Sequence, residues 1–419
     1  MKILILAHEF PYPANHGCRL DIWNRIKALK KFDAEIYLLT WYEINKNDIP
    51  TGSEIEVVKN TVDHLALFRI PRDFKRVLRL FKYPSLVAAR ILKKEDFRNV
   101  LDEVIQFNPD FILADCVYSG YTGLQFAKAL SVPLCLRSHN VEHLYLIGQF
   151  KMTRHLRTKL SILANILHLK KYEEHIINSV DAFFDTSIDD LEFWRSKGYN
   201  NGHWLPPVYI EKGYAENYTE SFTDGYDVGF IGNLYTPNNV GSLLWFIRDV
   251  LPIIQCTVPE VTFLIVGANP TAELLKVCHR YPNIKIIANP EHVEPFIKTT
   301  KVLINPLQSG SGVNIKSIEM LFSDKQVVST STGVKGIHSA INDAFFIADA
   351  PEDFASNIVK ILTNKASKEL KNRHELRNLF KETSVKKLLS VMDKKREVKG
   401  FPLLVSDHTA SSSVVRKIK

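Results

Sequence analysis

Val302-Leu303-Ile304-Asn305-Pro306 runs through Leu307-Gln308 into Ser309-Gly310-Ser311-Gly312-Val313-Asn314-Ile315-Lys316-Ser317-Ile318-Glu319-Met320-Leu321. The first five residues read as a short buried strand, since a brief apolar run bounded by turn residues suits a strand closed in on both faces. The small residues at 309–312 let the chain turn and aim backbone N–H groups outward. Helical periodicity begins near Val313, with Ile315, Ile318, Leu321 and Phe322 on one face. A glycine-rich turn entering a helix suits an anion, because the first-turn N–H groups are unpaired and the dipole is positive there. Lys316 and Glu319 share a face. The ammonium suits a phosphate; the carboxylate suits paired hydroxyls such as those of a ribose. A further strand and glycine turn follow, Gln326-Val327-Val328-Ser329-Thr330-Ser331-Thr332-Gly333-Val334-Lys335-Gly336. On spacing alone a ligand-free strand–turn–helix fits equally well.

The rest of the chain repeats the α/β pattern. Residues 2–7 and 36–40 read as strands, joined by a loop through Gly17 and a helix from about Leu20 to Lys31. Phe111–Asp115 and Pro133–Leu136 are further strands, the second ending in Arg137-Ser138-His139-Asn140-Val141-Glu142. Polar residues at strand C-termini are where a parallel sheet gathers its site. Residues 205–224 lack periodicity and read as a linker. The pattern then restarts at Tyr226, with a turn at Gly232-Asn233, a helix over Val240–Val250, and strands at 262–266, 284–287 and 302–305.

The donor turn, the Lys three residues before a Glu, the V-V-S-T strand and the following G-x-x-G resemble the nucleotide-sugar-binding segment of retaining glycosyltransferases, in particular family 4. Gly232-Asn233-x-Tyr-x-Pro-Asn-Asn and the strand ending Val266-Gly267 extend that resemblance over about 110 residues. Weaker matches precede residue 190, so most of the chain up to about residue 385 is covered. The resemblance implies an α/β chain of GT-B fold, two Rossmann-like doubly wound parallel-sheet domains facing a cleft. The boundaries expected are 1–205, a linker at 206–224, 225–385, and a C-terminal helix and tail at 386–419. It implies a hexosyltransferase moving a sugar from a nucleotide diphosphate to a glycan or lipid-linked acceptor, with retention, in polysaccharide or glycolipid synthesis. By the same resemblance Gly17, Gly232, Asn233, Ser309, Gly310, Ser311, Gly312, Lys316 and Glu319 bind donor, and His139 and Glu142 are the catalytic candidates. A histidine there can donate to developing negative charge or orient a hydroxyl without being a general base. Glu142 could instead cap a helix or pair with an Arg.

Two departures stand out. Many family members carry an Arg and a Lys in the loop where this chain has Asn233, Asn238 and Asn239, and a Glu where it has Ser311. The phosphate burden then falls on Lys316 and backbone N–H groups. These losses also support a rival, a non-catalytic homologue serving as a partner in a polysaccharide-assembly complex. A sugar-nucleotide epimerase of the same fold is a third reading.

A chain of 419 residues with 45% hydrophobic and 24% charged content favours two domains with ample cores. The net charge of +8 fits nucleic acid, an anionic membrane or an anionic substrate. No helix-turn-helix, RNP or zinc pattern accompanies it, so no nucleic-acid partner is expected. The basic residues concentrate at 72–98 and 151–172. In the first, Phe74, Val77, Leu78 and Phe81 fall at helical spacing with Lys75, Arg76, Arg79 and Lys82 off that face, a form suited to an anionic membrane surface. The alternative is a solvated helix packing its apolar face on its own domain. Cys18, Cys116, Cys135, Cys256 and Cys278 show no metal-ligand spacing and read mostly as buried thiols in a reducing compartment. The sequence D-x-D does not occur, so no metal is expected, and the nucleotide sugar is a co-substrate rather than a cofactor. No signal-peptide core or spanning run is read, so the expected location is cytoplasmic, peripheral on the inner face of the membrane.

Overall fold

The computed structural model describes residues 1–43, 49–71, 73–153, 156–210, 225–310, 312–369 and 371–400. Ser311, Arg72, Arg154, most of the expected linker and the expected tail lie outside them.

Each half of the chain builds one parallel sheet. The first holds β1 (Lys2–Ala7), β2 (Glu35–Tyr42), β3 (His64–Arg69), β4 (Phe111–Asp115), β5 (Leu134–Ser138), β6 (Ala182–Asp185) and β7 (Gly202–Trp204). Their order is β3-β2-β1-β4-β5-β6-β7. The second holds β8 (Tyr226–Ile231), β9 (Phe263–Gly267), β10 (Ile284–Ala288), β11 (Thr300–Asn305), β12 (Gln326–Ser329) and β13 (Phe346–Ile347), ordered β10-β9-β8-β11-β12-β13. This is the GT-B arrangement of two Rossmann-like domains.

The period of two in the apolar strands builds both faces at once. Leu4, Leu6, Ile112, Ala114, Leu134 and Leu136 enter one core of the first domain. Ile3, Ile5, Ala7, Phe111, Leu113 and Cys135 enter the core on the other face. Covering both faces with helices removes these strands wholly from water.

The last helix, Val385–Val398, presents Val385, Leu388, Leu389 and Met392 at helical spacing to that second core, beside Ile22, Ile26 and Leu29. Lys31 meets Glu382 at 2.6 Å, and Arg396 meets Asp110 at 2.9 Å. This helix therefore crosses back onto the first domain.

One boundary needs correction. The helix after β1 starts at Gly17, not Leu20, because extended His16 serves as its N-cap. Helix Phe74–Arg79 lies where the amphipathic pattern placed one, and Ser85–Ala88 and Lys94–Phe107 follow it as separate helices. Pro84 ends any continuation, since its ring disfavours helical backbone in the residue before it. The thiols are mostly buried, as expected: Cys116, Cys135 and Cys278 are, Cys18 is half-buried and Cys256 is exposed. A capping box at Thr51 and Glu54 starts a helix, Gly52–Lys59, that the apolar pattern did not reveal.

Candidate functional site

In an open parallel sheet, ligands bind beyond the strand C-termini where the strand order reverses. The first sheet reverses between β1 and β4, and the second between β8 and β11. His8 and Glu9 follow β1, Asp115 ends β4, and His139 follows neighbouring β5. Gly232 and Asn233 follow β8, and the segment leading to helix Ile315–Phe322 follows β11. Both halves of the expected site therefore sit at a switch point.

On the first-domain side, helix Gly17–Lys30 brings Asp21 and Arg25, one turn apart, under the strand ends. Arg25 Nη1 donates to Asp21 Oδ2 at 2.6 Å, and its Nη2 donates to Asp115. Arg137 Nη2 reaches Asp21 at 3.3 Å, and its Nη1 donates to the Leu205 carbonyl. His139 Nε2 lies 3.1 Å from Asp115 Oδ1 and 3.3 Å from Asp21 Oδ2. All four charged partners are buried. Burial alone would lower the His139 pKa, but contact with Asp115 and Asp21 outweighs it and raises the value to about 9. Two carboxylates thus face two guanidiniums and an imidazolium at neutral pH, leaving a net positive charge at the base of the cleft.

His139 Nδ1 is 3.3 Å from Cys18 Sγ, which lies 3.7 Å from His8 Nε2. Burial, aided by Glu9, keeps Cys18 a neutral thiol. Burial also lowers the His8 pKa to about 4, so this second imidazole is neutral. His8, Glu9 and Cys18 offer three ligand atoms within 4.8 Å of one another. Among the described residues it is the group able to take a divalent cation.

Glu142 opens helix Glu142–Met152 and is buried behind His139. Its carboxylate accepts from Tyr118 Oη at 2.7 Å and from Asn140 Nδ2 at 3.3 Å. Burial raises its pKa to about 7, against the Tyr118 hydrogen bond. The carboxylate holds Asn140 rather than pairing with an arginine. Glu173 anchors the same turn, accepting from the Glu142 amide at 2.8 Å and contacting His143 Nδ1 at 2.6 Å.

On the second-domain side, Asn314 caps helix Ile315–Phe322 by accepting from the Lys316 amide at 3.0 Å. Lys316 Nζ reaches back over the Phe230 ring, 4.1 Å from its centroid, and donates to Asn239 Oδ1 at 3.1 Å. Gly232 makes room: a Cβ there would stand 2.8 Å from Lys316 Cε and 3.0 Å from Nζ. Burial lowers the Lys316 pKa to about 7, with Glu319 opposing. Asn233 organises the loop, accepting from Thr236 Oγ1 at 2.7 Å and, through its carbonyl, from Asn239 Nδ2 at 2.8 Å. Asn238 Oδ1 accepts from Ser309 Oγ at 3.4 Å, lacing this loop to the turn after β11.

The halves meet at the glycines. Gly312 has φ +66°, and a Cβ on it would stand 2.3 Å from Asn140 Oδ1 and 2.9 Å from the His139 carbonyl. A Cβ on Gly17 would touch Ile315 Cγ1 at 3.4 Å. Gly17, Gly232, Gly312, Lys316 and His139 are thus brought together, Asn233 and Ser309 support the turn, and Glu142 stands one layer behind. Sequence reasoning did not assign Asp21, Arg25, Asp115, Arg137 or Cys18 to the site. Only the Asp21/Arg25 spacing offered a local signal.

Residues 225–364 match the family model described as Glycosyl transferases group 1. The second domain is similar to the group 1 glycosyltransferases. This domain spans β8 to β13 and contains the Lys316 site. The chain is 27% identical over 372 residues to a 44.6 kDa protein in the cps region of Klebsiella pneumoniae, covering 87% of this chain and 91% of that one. The fold is similar to sucrose-phosphate synthase from Thermosynechococcus elongatus, with TM-score 0.63, 14% identity and coverage of 95% and 99% of the two chains. It is also similar to Anabaena HepE, solved with UDP and glucose, with TM-score 0.58, 13% identity and coverage of 93% and 98%.

Proposed function

We propose that this protein transfers a hexosyl group from a nucleotide-diphosphate sugar to a glycan or lipid-linked acceptor, with retention, in cell-surface polysaccharide or glycolipid synthesis. One observation carries the reading. The Lys316 ammonium is held in the Gly232 hollow beside a helix N-terminus, and charged His139 stands across the Gly312 contact. A half-buried ammonium with one neutral acceptor awaits an anion. Occupation of a related fold by UDP and glucose, and the cps-region setting of the Klebsiella protein, support donor class and pathway.

In this reading Lys316 and the N–H groups of the 310–312 turn hold the diphosphate, and Glu319 accepts from the ribose hydroxyls. Negative charge on the departing diphosphate is met by Lys316 and the helix N-terminus, preorganised and partly shielded from water. No metal is proposed. His139, kept protonated by Asp21 and Asp115, donates to the reacting sugar; Glu142 positions Asn140 beside it. The protein works in the cytoplasm, peripheral on the membrane.

The rival, a non-catalytic assembly partner, is favoured by the asparagines at 233, 238 and 239 and by Ser311 in place of charged residues. Calorimetric titration with UDP, GDP and their sugar conjugates tests the proposal. Selective binding weakened by Glu319→Ala is expected. A folded protein that binds none of them overturns it.

A further inference from the structure

The first domain turns two apolar stripes away from its own core. Phe74, Val77, Leu78 and Phe81 are 73%, 51%, 52% and 82% exposed. Charge orientation explains how. Arg79 Nη1 donates inward to the carbonyls of Ile91 at 2.8 Å and Ala88 at 3.3 Å, and Arg76 reaches Ser85 Oγ at 3.4 Å. The guanidiniums thus pin helix Phe74–Arg79 by its polar side, and its apolar side faces water. A solvated helix on a soluble domain has the opposite orientation.

Helix Leu156–Ser179 repeats the arrangement. Leu156, Leu160, Leu163 and Leu167 are 72%, 58%, 38% and 66% exposed. Their spacing of four, three and four residues makes one stripe at about 100° per residue. Ile162, Leu169, Tyr172 and Ile176 form the buried stripe on the opposite face. Exposed Lys170 and Lys171 flank the outer stripe, and Arg157 lies near its start. The short helix Ser85–Ala88 joins the two elements: it packs under helix Phe74–Arg79, and Asn165 Oδ1 accepts from the Leu86 amide at 2.8 Å. It also adjoins the site, because Arg90 Nε donates to the His8 carbonyl at 2.6 Å.

We propose that these two stripes are a docking surface for an anionic lipid bilayer, with Phe74, Phe81, Leu156, Leu160 and Leu167 entering the acyl boundary and the flanking lysines meeting lipid phosphates. Charge selects this occupant. Residues 151–172 hold six Lys or Arg and no acid. Among the described residues no helix is long and apolar enough to cross a membrane, so the surface lies on the bilayer. Its purpose rests on the proposed transfer to a lipid-linked acceptor, which would sit in that bilayer beside the His8 edge of the cleft.

Vesicle flotation tests it, with UDP titration run alongside so that failure of docking and failure of the donor site are told apart. Binding to phosphatidylcholine vesicles carrying about 30% phosphatidylglycerol is expected, falling with salt and weak on phosphatidylcholine alone. Lys170→Glu/Lys171→Glu should weaken it by more than about tenfold. Phe74→Asn/Phe81→Asn and Leu160→Asn/Leu167→Asn should each do the same while UDP binding is unchanged. Hydrogen exchange of the unaltered protein should slow at 156–167 on the vesicles. Absence of binding to the anionic vesicles overturns the proposal, as does binding indifferent to all three variants. So does a concentration-dependent dimer that Leu160→Asn/Leu167→Asn dissolves in the absence of vesicle binding.

Discussion

Gly232→Ala isolates the lysine site with a single methyl group. The new Cβ would stand 2.8 Å from Lys316 Cε and 3.0 Å from Nζ. Carbon atoms come to rest near about 3.5 Å, so the lysine tip must retreat by roughly 0.7 Å. That retreat lifts the ammonium from the Phe230 face, now 4.1 Å away, and stretches the 3.1 Å bond to Asn239. The displaced atoms are the free end of a flexible side chain, so the fold should lose less than about 0.5 kcal/mol. Donor binding should lose a charge-assisted contact to phosphate, about 1.5–3 kcal/mol, or roughly 10- to 150-fold in Kd. Calorimetry of UDP binding reads the loss, with Tm as the fold control. Lys316→Met should cost a similar amount, and the double variant should cost little more than either alone, because both remove one contact. Wild-type UDP affinity in Gly232→Ala, or additive losses in the double variant, would refute the reasoning.

Other expectations follow from the same geometry. Lys316, with its pKa near 7, is mostly neutral at about pH 8 and must take up a proton to hold a diphosphate, so binding there should absorb more than about half a proton. Calorimetry in buffers of different ionisation enthalpy measures this, and a buffer-independent enthalpy would contradict it. Asp21 is held well below the usual carboxylate range by Arg137 and Arg25 despite burial. Its contribution to stability is present above about pH 4 and lost as pH falls towards its folded value. Asp21→Asn should cost about 3–5 kcal/mol in denaturant unfolding at neutral pH and flatten that acid limb. Gly312→Ala places a side chain at φ +66° and against Asn140, so the domains should part. Small-angle scattering should report a larger radius of gyration, and an unchanged radius would count against the contact.

Much of the fold was legible because buried parallel strands are continuous apolar runs, as in Lys2–Ala7 and Thr300–Asn305. The turn after β11 was legible because glycines and Lys316 lie within a few residues of one another. The Asp21–Arg25–Asp115–Arg137–His139 cluster was not, since its members lie on three segments far apart in the chain. Neither was the hollow at Gly232, whose neighbour Lys316 arrives from another strand–helix unit. Periodicity identified an apolar face over 74–81 but could not orient it. Orientation was decided by Arg76 and Arg79 finding acceptors on the following short helix, a tertiary outcome with no local trace.

Catalysis demands more than donor binding. The direct measurement is nucleoside diphosphate release from a donor the protein binds, with and without a lipid-linked acceptor extract. Release that depends on acceptor is expected, with His139→Gln losing at least about a hundredfold in rate at little cost in donor Kd. The wild-type rate should also fall as pH rises through about 9, where the imidazolium is lost. A folded protein that binds donor and never releases the nucleotide, with any acceptor offered, would contradict the account and leave the assembly partner.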